Sequence, residues 1–357
     1  INNMYSVKIY GAGSIGNHLA NAFRSKNFDV ILSDIDPAAI DRAKNFIYPQ
    51  RYGEWDTKIS LQNSNNLGSL YTDIVFIGTP PEFHVQIALK ELENLPKLIL
   101  IEKPLCEPAM KDLDLLHKLS KNTNTIILVG YNHVVSKAAF KMKQFLKEDY
   151  LGKIQTISSY TKEHWGGIFN AHPWLDGPKD SYLGFTSKGG GALCEHSHGL
   201  NFWQHLSNNL KLGRIEEVNA EIFFNKDNQI NYDKLIIATL KTETGHYGDL
   251  IQDVITFPTI KKSRVQGKDR FVEIELSVNN SDIITTGEMN YTCEKIILNK
   301  TRQNDFIWEV EHVIDLLDGR IKKSPISLDR GIETMCVIEA LFRSSQERKP
   351  VKVNWLN

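Results

Sequence analysis

Over its first ~130 residues the chain alternates short, nearly continuous apolar runs with amphipathic stretches. Runs at 5–10, 28–33, 73–78, 97–101 and 125–130 read as strands. Their largely unbroken Val/Ile/Leu character suits strands buried on both faces. Between them, 15–24, 37–44, 83–92 and 110–121 read as helices, and Asp36 before Pro37 supplies an N-cap with proline at the first helical position. This rhythm predicts a doubly wound parallel sheet. The asparagine-rich stretch 62–66 reads as a surface loop.

Beyond Tyr131 the rhythm changes. A helix over 137–148 and a strand over 154–160 precede a long irregular segment, 163–187, rich in Trp, Gly and Pro. Gly189-Gly190-Gly191 opens a helix to about Leu206. Alternating strands follow at 215–224, 234–241, 247–256, 261–266 and 270–276, and helices at 306–317 and 329–345 close the chain. Strands without intervening helices predict one large, mainly antiparallel open sheet in an α+β unit. One face would lie under its helices and the other would be free for subunit pairing.

Length turns these patterns into two domains. At 357 residues one core is unusual, and the change of rhythm divides the chain into 1–130 and 131–357. The composition, 41% hydrophobic and 24% charged, is that of a globular protein. A net charge of −1 gives no basic field, so neither nucleic acid nor an anionic membrane is implied as partner. No apolar run approaches the ~20 residues of a membrane span, and the start shows no basic-then-apolar leader. The chain opens on Ile1; residues 1–3 read as a tag remnant or trimmed start, with Met4 as initiator. Four scattered cysteines (Cys106, Cys194, Cys293, Cys336) without CxxC argue for a reducing compartment, hence a cytoplasmic location.

The first chemical signal is Gly11-x-Gly13-x-x-Gly16, between the first strand and the first helix. The first glycine permits a tight turn, the second lets pyrophosphate approach the backbone, and the third lets helix and strand pack closely. Ser14 and Ile15 then begin a helix whose free N–H groups favour an anion. Asp34 ends the next strand, eighteen residues past Gly16. A carboxylate there accepts ribose hydroxyls and repels a 2′-phosphate, so NAD is expected rather than NADP. Thr79 and Pro80, in Gly78-Thr79-Pro80-Pro81, end the third strand in a loop fixed over the cofactor. His84 follows this loop and is grouped with it, as a capping or packing residue rather than a catalyst.

Two further segments carry reactive groups. Glu102-Lys103-Pro104 follows the run 97–101, so the Lys103 amine stands at the carboxyl edge of the sheet, facing the crevice where cofactor and substrate meet. In the helix after the triple glycine, Glu195 and His198 are three apart and share a face. A carboxylate beside an imidazole can orient it as a general base for an alcohol proton. His196 points elsewhere and reads as structural. Glu195-x-x-His198 and Glu309-x-x-His312 both have metal-ligand spacing, but the chain does not read as a four-helix bundle, and no metal is expected. Tyr131, Asn132, His164, Trp165, His172, Trp174 and Tyr182 join Lys103, Glu195 and His198 as candidate substrate-pocket residues; aromatic faces with polar tips suit a polyol, and packing is the alternative for each.

Taken together, GAGSIG with Asp34, GTPP, EKP and a GGG-led helix with an acid and a histidine resemble the glucose–fructose oxidoreductase, inositol dehydrogenase and MocA family. The resemblance extends to Val129-Gly130-Tyr131-Asn132 and Ile338-Glu339-Ala340. It implies a Rossmann domain followed by a substrate-binding and oligomerising domain. It also implies Lys103 and His198 as the catalytic pair, sugar, amino-sugar or cyclitol substrates, with or without a linked nucleotide, and homodimers or homotetramers built through the C-terminal sheet. The chain departs from the commoner family pattern, an aspartate with histidine four residues on. Here Glu195 replaces the aspartate and Gly199 holds the usual histidine place, whereas a branch with Ser-His, and with His-Pro-Trp upstream, is similar to Ser197-His198 and His172-Pro173-Trp174.

The expected activity is a hydride transfer between a secondary alcohol or ketone and a nicotinamide. Two alternatives remain on the same fold: a non-catalytic NAD(P)- or sugar-sensing protein, and an NAD-catalytic glycosidase that oxidises transiently beside the glycosidic carbon. Retention of both Lys103 and His198 favours the enzyme over the sensor.

Overall fold

The computed structural model describes residues 5–356, apart from the side chains of 291–293. Met4 and the proposed trimmed start lie outside the described residues, as does the Cys293 side chain.

Six parallel strands form the first sheet: β1 (Ser6–Tyr10), β2 (Asp29–Asp34), β3 (Ile59–Asn63), β4 (Ile74–Ile77), β5 (Leu98–Ile101) and β6 (Ile126–Val129). Their order is β3-β2-β1-β4-β5-β6, the doubly wound arrangement whose order reverses between β1 and β4. The continuous apolar runs are the central strands; β4 and β5 are buried at every position. β3 contradicts the loop expected at 62–66. It lies at the edge with half-exposed Leu61, Gln62 and Asn63, so it lacks the apolar run that marks a central strand. Lys8 on β1 is fully buried, yet it is satisfied by Glu91 at 2.8 Å and by the Leu70 carbonyl at 2.6 Å.

The second sheet has nine strands. They are β7 (Ile154–Lys162), β8 (Ile215–Lys226), β9 (Asn231–Thr242), β10 (Tyr247–Asp253), β11 (Ile260–Gly267), β12 (Arg270–Val278), β13 (Ser281–Glu288), β14 (Tyr291–Asn299) and β15 (Val351–Lys352), in the order β14-β13-β12-β11-β7-β10-β9-β8-β15. Its pairs are antiparallel except β7 with β10. The helix His198–Asn209 packs beneath β7, its Trp203 Nε1 donating to the Ile157 carbonyl at 2.9 Å. The opposite face is open and carries Phe223, Ile237 and Ile297 about half exposed.

Two elements bind the sheets together. The helix Arg302–Leu317 packs against the helix Ser14–Ser25, and the helix Leu328–Glu347 lies against β6, where Val129 N–H donates to the Ile326 carbonyl at 2.8 Å. The single helix expected over 137–148 is instead Lys137–Met142, a turn, and Glu148–Leu151.

The packing of Arg302–Leu317 buries Glu309 against Glu102. A Cβ placed on Gly130 would lie 2.9 Å from one Glu102 oxygen and 3.3 Å from one Glu309 oxygen, so both carboxyls crowd the same backbone atom. Burial pushes Glu102 up to about 7, with Lys103 opposing and Glu195 adding. Burial, and then Glu102, raises Glu309 well above the usual carboxyl range.

Acids raised in the folded state hold protons that the unfolded chain has released, so stability falls as pH rises from the unfolded value near 4.5 through about 7. The buried histidines with depressed pKa values act in the opposite sense, so the pair is read by difference: from pH 5 to pH 8 the Tm of the wild type should fall relative to that of Glu309→Gln, and parallel melting curves would show that the pair does not titrate there. The glycine turn offers a second test. A Cβ at Gly16 would meet the Gly11 carbonyl oxygen at 1.9 Å, whereas one at Gly13 meets nothing within 4 Å. Gly16→Ala should cost about 1–3 kcal/mol in a denaturant melt, and Gly13→Ala no more than about 0.5 kcal/mol.

Candidate active site

The turn after β1 is held from three sides. Gly11 N–H donates to the Ser33 carbonyl at 2.8 Å, Ala12 N–H to Asp34 Oδ2 at 2.9 Å, and Asn17 Nδ2 to the Gly13 carbonyl at 2.7 Å. Gly11 takes a φ of +101°, and a Cβ there would lie 2.5 Å from the Gly78 carbonyl oxygen, so the β1 and β4 turns touch backbone to backbone. Gly13 caps the helix Ser14–Ser25 without a side-chain bond, leaving the first N–H groups open. This open, uncapped turn fits a dinucleotide diphosphate. Asp34 also accepts from Asp36 N–H at 3.0 Å, so it shapes the turn while keeping lone pairs for a ribose.

A cavity of about 920 Å³ runs from this turn into the cleft before the second sheet, with Thr79, Pro80, Glu102 and Lys103 on its wall. His84 sits behind that wall. It is fully buried, and its ring nitrogens lie 2.7 Å from the Thr79 carbonyl and 3.0 Å from the Pro104 carbonyl, so it ties the two loops together.

Lys103 reaches across the cleft. Its ammonium donates to the Glu195 carbonyl at 2.8 Å and lies 3.2 Å from Glu195 Oε1. Tyr182 OH donates to Glu195 Oε2 at 3.4 Å. Glu195 therefore holds the lysine and not the histidine. The expected shared helix face does not exist, because the helix Gly191–Glu195 ends there and a new one, His198–Asn209, starts after His196 and Ser197.

His198 lines the same cavity from the first position of that second helix. Its ring stacks on His133 at 3.9 Å between centroids and meets the edge of Tyr131 at 5.7 Å. Burial, then the neighbouring His133 and Lys103, holds its pKa well below the ordinary histidine value, so the ring is neutral at pH 7. Its Nδ1 has no hydrogen-bond partner among the described residues. The structure also gives a physical reason for the departure at 199. A Cβ on Gly199 would stand 2.5 Å from Thr161 Oγ1, so that position has no room for an imidazole.

The other expected pocket residues divide. Asn132, His172, Trp174 and Tyr182 line the cavity. Tyr131 is buried behind His198, donating to Ser197 Oγ at 3.2 Å. Trp165 packs on Phe169 and Tyr232, and His164 caps the short helix Trp165–Asn170. Trp174 faces His172 at 5.1 Å and lies under the Arg42 guanidinium at 4.9 Å, which brings the segment 163–187 onto the first half of the chain. His196 lines the cavity but is buried, with Nε2 3.3 Å from the Glu163 carbonyl. Sequence reasoning missed His133, the Lys261–Glu163 pair at 2.9 Å, and the arginines Arg51 and Arg302, all on the cavity wall. Only His133, next to the Tyr131-Asn132 junction, carried a positional signal.

The chain is similar to several solved dehydrogenase structures. Levoglucosan dehydrogenase in complex with NADH and levoglucosan superposes over 98% of this chain and 100% of its own, with a TM-score of 0.80 and 15% identity. The WlbA dehydrogenase from Bordetella pertussis, in complex with NADH and UDP-GlcNAcA, covers 99% of each chain with a TM-score of 0.75 and 14% identity. GenD2 from gentamicin A biosynthesis, in complex with NAD, covers 98% and 97% with a TM-score of 0.76 and 15% identity. At these identities the likeness is one of fold. No curated protein matches the chain in sequence. The family model described as the Gfo/Idh/MocA oxidoreductase family, NAD-binding Rossmann fold, matches residues 5–131. β1 to β6, the glycine turn and Lys103 all lie within that span, so the first third of this chain carries the match to the Gfo/Idh/MocA family of NAD-binding oxidoreductases.

Proposed function

We propose that the chain moves a hydride between a secondary alcohol or ketone carbon of a sugar, amino sugar or cyclitol and a nicotinamide. The observation that carries this reading is the convergence of Lys103, Glu195 and His198 on one cavity that also opens on the glycine turn. A nicotinamide dinucleotide held by Gly11–Gly16, Thr79 and Pro80 supplies the hydride acceptor. NAD is favoured over NADP because a carboxylate at the end of β2, Asp34, suits ribose hydroxyls and repels a 2′-phosphate.

In the oxidation direction His198 takes the hydroxyl proton on a ring nitrogen, since the ring is neutral and lines the cavity. Lys103 has three N–H donors and spends two on Glu195, leaving one for the same substrate oxygen as negative charge develops on it. Glu195 fixes the direction of that donor, and Tyr182 fixes Glu195. In reduction His198 returns the proton. Asn132, His172, Trp174 and Tyr182 offer the mixed aromatic and polar wall that a polyol requires. The sugar ligands named for the fold neighbours, levoglucosan and UDP-GlcNAcA, support the substrate class. The open face of the second sheet, with Phe223, Ile237 and Ile297, supports pairing with a second copy.

Steady-state rates with NAD and a panel of sugars and cyclitols test the reading. Lys103→Met should lower kcat by about 10²–10⁴-fold while NADH titration, followed by nicotinamide fluorescence, stays near wild type. Loss of binding and turnover together would make Lys103 structural. Because His198 is already neutral at pH 7, the acid limb of kcat/KM should fall below the ordinary histidine value of about 6.5; a limb at that value removed by His198→Asn would contradict its depressed pKa. Asp34→Ala should weaken NADH and admit NADPH, and an unchanged preference would sink that assignment. Tight NADH binding with no turnover on any polyol would favour the sensing protein.

A further inference from the structure

The cavity has a basic lobe that the proposed chemistry leaves unused. It lies where the helix Tyr48–Tyr52, the first turn of Ser14–Ser25 and the start of Arg302–Leu317 meet, and it is lined by His18, Arg51, Tyr52, Arg302 and Phe306. Gln303 Nε2 donates to the Arg51 carbonyl at 3.5 Å, which fixes the two arginine-bearing segments side by side.

Arg51 spends two donors on Ser14, one to its carbonyl and one to its Oγ, both at 2.8 Å. It pairs with no carboxylate among the described residues, although it is only partly exposed. Arg302 has one carboxylate contact, Asp305 at 3.2 Å. That carboxylate is already shared, because the buried Lys300 ammonium lies 2.7 Å from Asp305 and 2.9 Å from Asp282. Lys300 and Arg302 thus share Asp305, Arg51 has no carboxylate among the described residues, and both guanidinium groups line the cavity with donors to spare. A half-buried guanidinium without an anion is costly, and each guanidinium has five N–H donors suited to planar oxyanions. The lobe is also preorganised. Arg302 lies over the Phe306 ring at 4.8 Å, Phe306 stacks on His18 at 4.4 Å, and His18 bonds through Nδ1 to Tyr52 OH. Burial, and then the charges of Arg51 and Arg302, keeps His18 neutral, so it adds shape without adding charge.

We infer that Arg51 and Arg302 form a phosphate clamp beside the glycine turn, gripping an oxyanion that the turn alone would meet only with backbone N–H groups. The occupant nearest to hand is the diphosphate of the dinucleotide, and this rests on the reading of that turn as a dinucleotide site. A phosphate carried by the substrate would present the same chemistry.

The test titrates the full chain with NADH, with ADP-ribose and with inorganic pyrophosphate, for wild type, Arg51→Met, Arg302→Met and Arg51→Lys. Apo-protein melts report whether each variant folds. Wild-type protein that fails to bind NADH overturns the dinucleotide reading itself. Given wild-type binding, each Met variant should weaken NADH and ADP-ribose by about 10- to 100-fold with a smaller dependence on salt, and Arg51→Lys should recover part of it. Unchanged NADH affinity, together with an arginine-dependent rise in Tm when pyrophosphate is added to the NADH complex, would assign the clamp to a substrate phosphate. Unchanged NADH affinity with no arginine-dependent response to pyrophosphate would overturn the clamp. A loss at Arg51→Met that appears only with a lowered apo Tm, with Arg302→Met indistinguishable from wild type, would reduce Arg51 to a support for Ser14 and overturn it as well.

Discussion

The site depends on one ammonium ion held across a cleft. Lys103 belongs to the carboxyl edge of the parallel sheet, and Glu195 belongs to a short helix rooted on the second sheet, yet they share two contacts, at 2.8 and 3.2 Å. Neither sheet alone would fix the direction of the lysine's remaining donor. The surroundings follow from that requirement. His84 pins the loops on either side of Lys103, Tyr182 steadies Glu195, and the helix Arg302–Leu317 carries Glu309 behind Glu102 to close the back of the wall. A charge this little exposed is tolerated because its partner is both a carboxylate and a carbonyl, so most of its hydration is replaced.

The histidine illustrates how backbone crowding decides which position of a chain can carry a ring. With Thr161 against Gly199, an imidazole at that position would displace β7. The helix break at His196 and Ser197 instead turns His198 toward the cavity and lays it on His133. The stacked pair keeps the ring in place without the acid partner that sequence spacing suggested.

Much of the fold was legible because its signals are local. Buried parallel strands leave apolar runs, and Gly11, Gly13 and Gly16 leave a fingerprint that backbone contact explains. The doubly wound sheet and the large, mainly antiparallel sheet both match the pattern of runs. β3 escaped because an edge strand is half solvated, and β13 and β14 escaped because they lie at the outer end of the second sheet. The site was legible where a residue follows a strand, as Lys103 does. It was illegible where tertiary contact decides. Spacing made Glu195 and His198 look like partners, and only the broken helix shows otherwise. Trp165 and Tyr131 read as pocket residues by type but pack behind it. Arg51 and Arg302 lie 251 positions apart and carry no motif, so nothing local joins them.

The segment 163–187 touches both halves of the molecule, and its two attachments are unequal in strength. It is rooted on the second half through Trp165 and Tyr232, and it rests on the first through Trp174 beneath Arg42. The contact between Arg42 and Trp174 is the lighter of the two attachments. A partly exposed cation–π contact is worth only about 0.5–1 kcal/mol, close to thermal energy. So weak a contact adds little to the hold of Lys103 on Glu195, and the position of the segment over the cavity rests far more on its own root than on this edge.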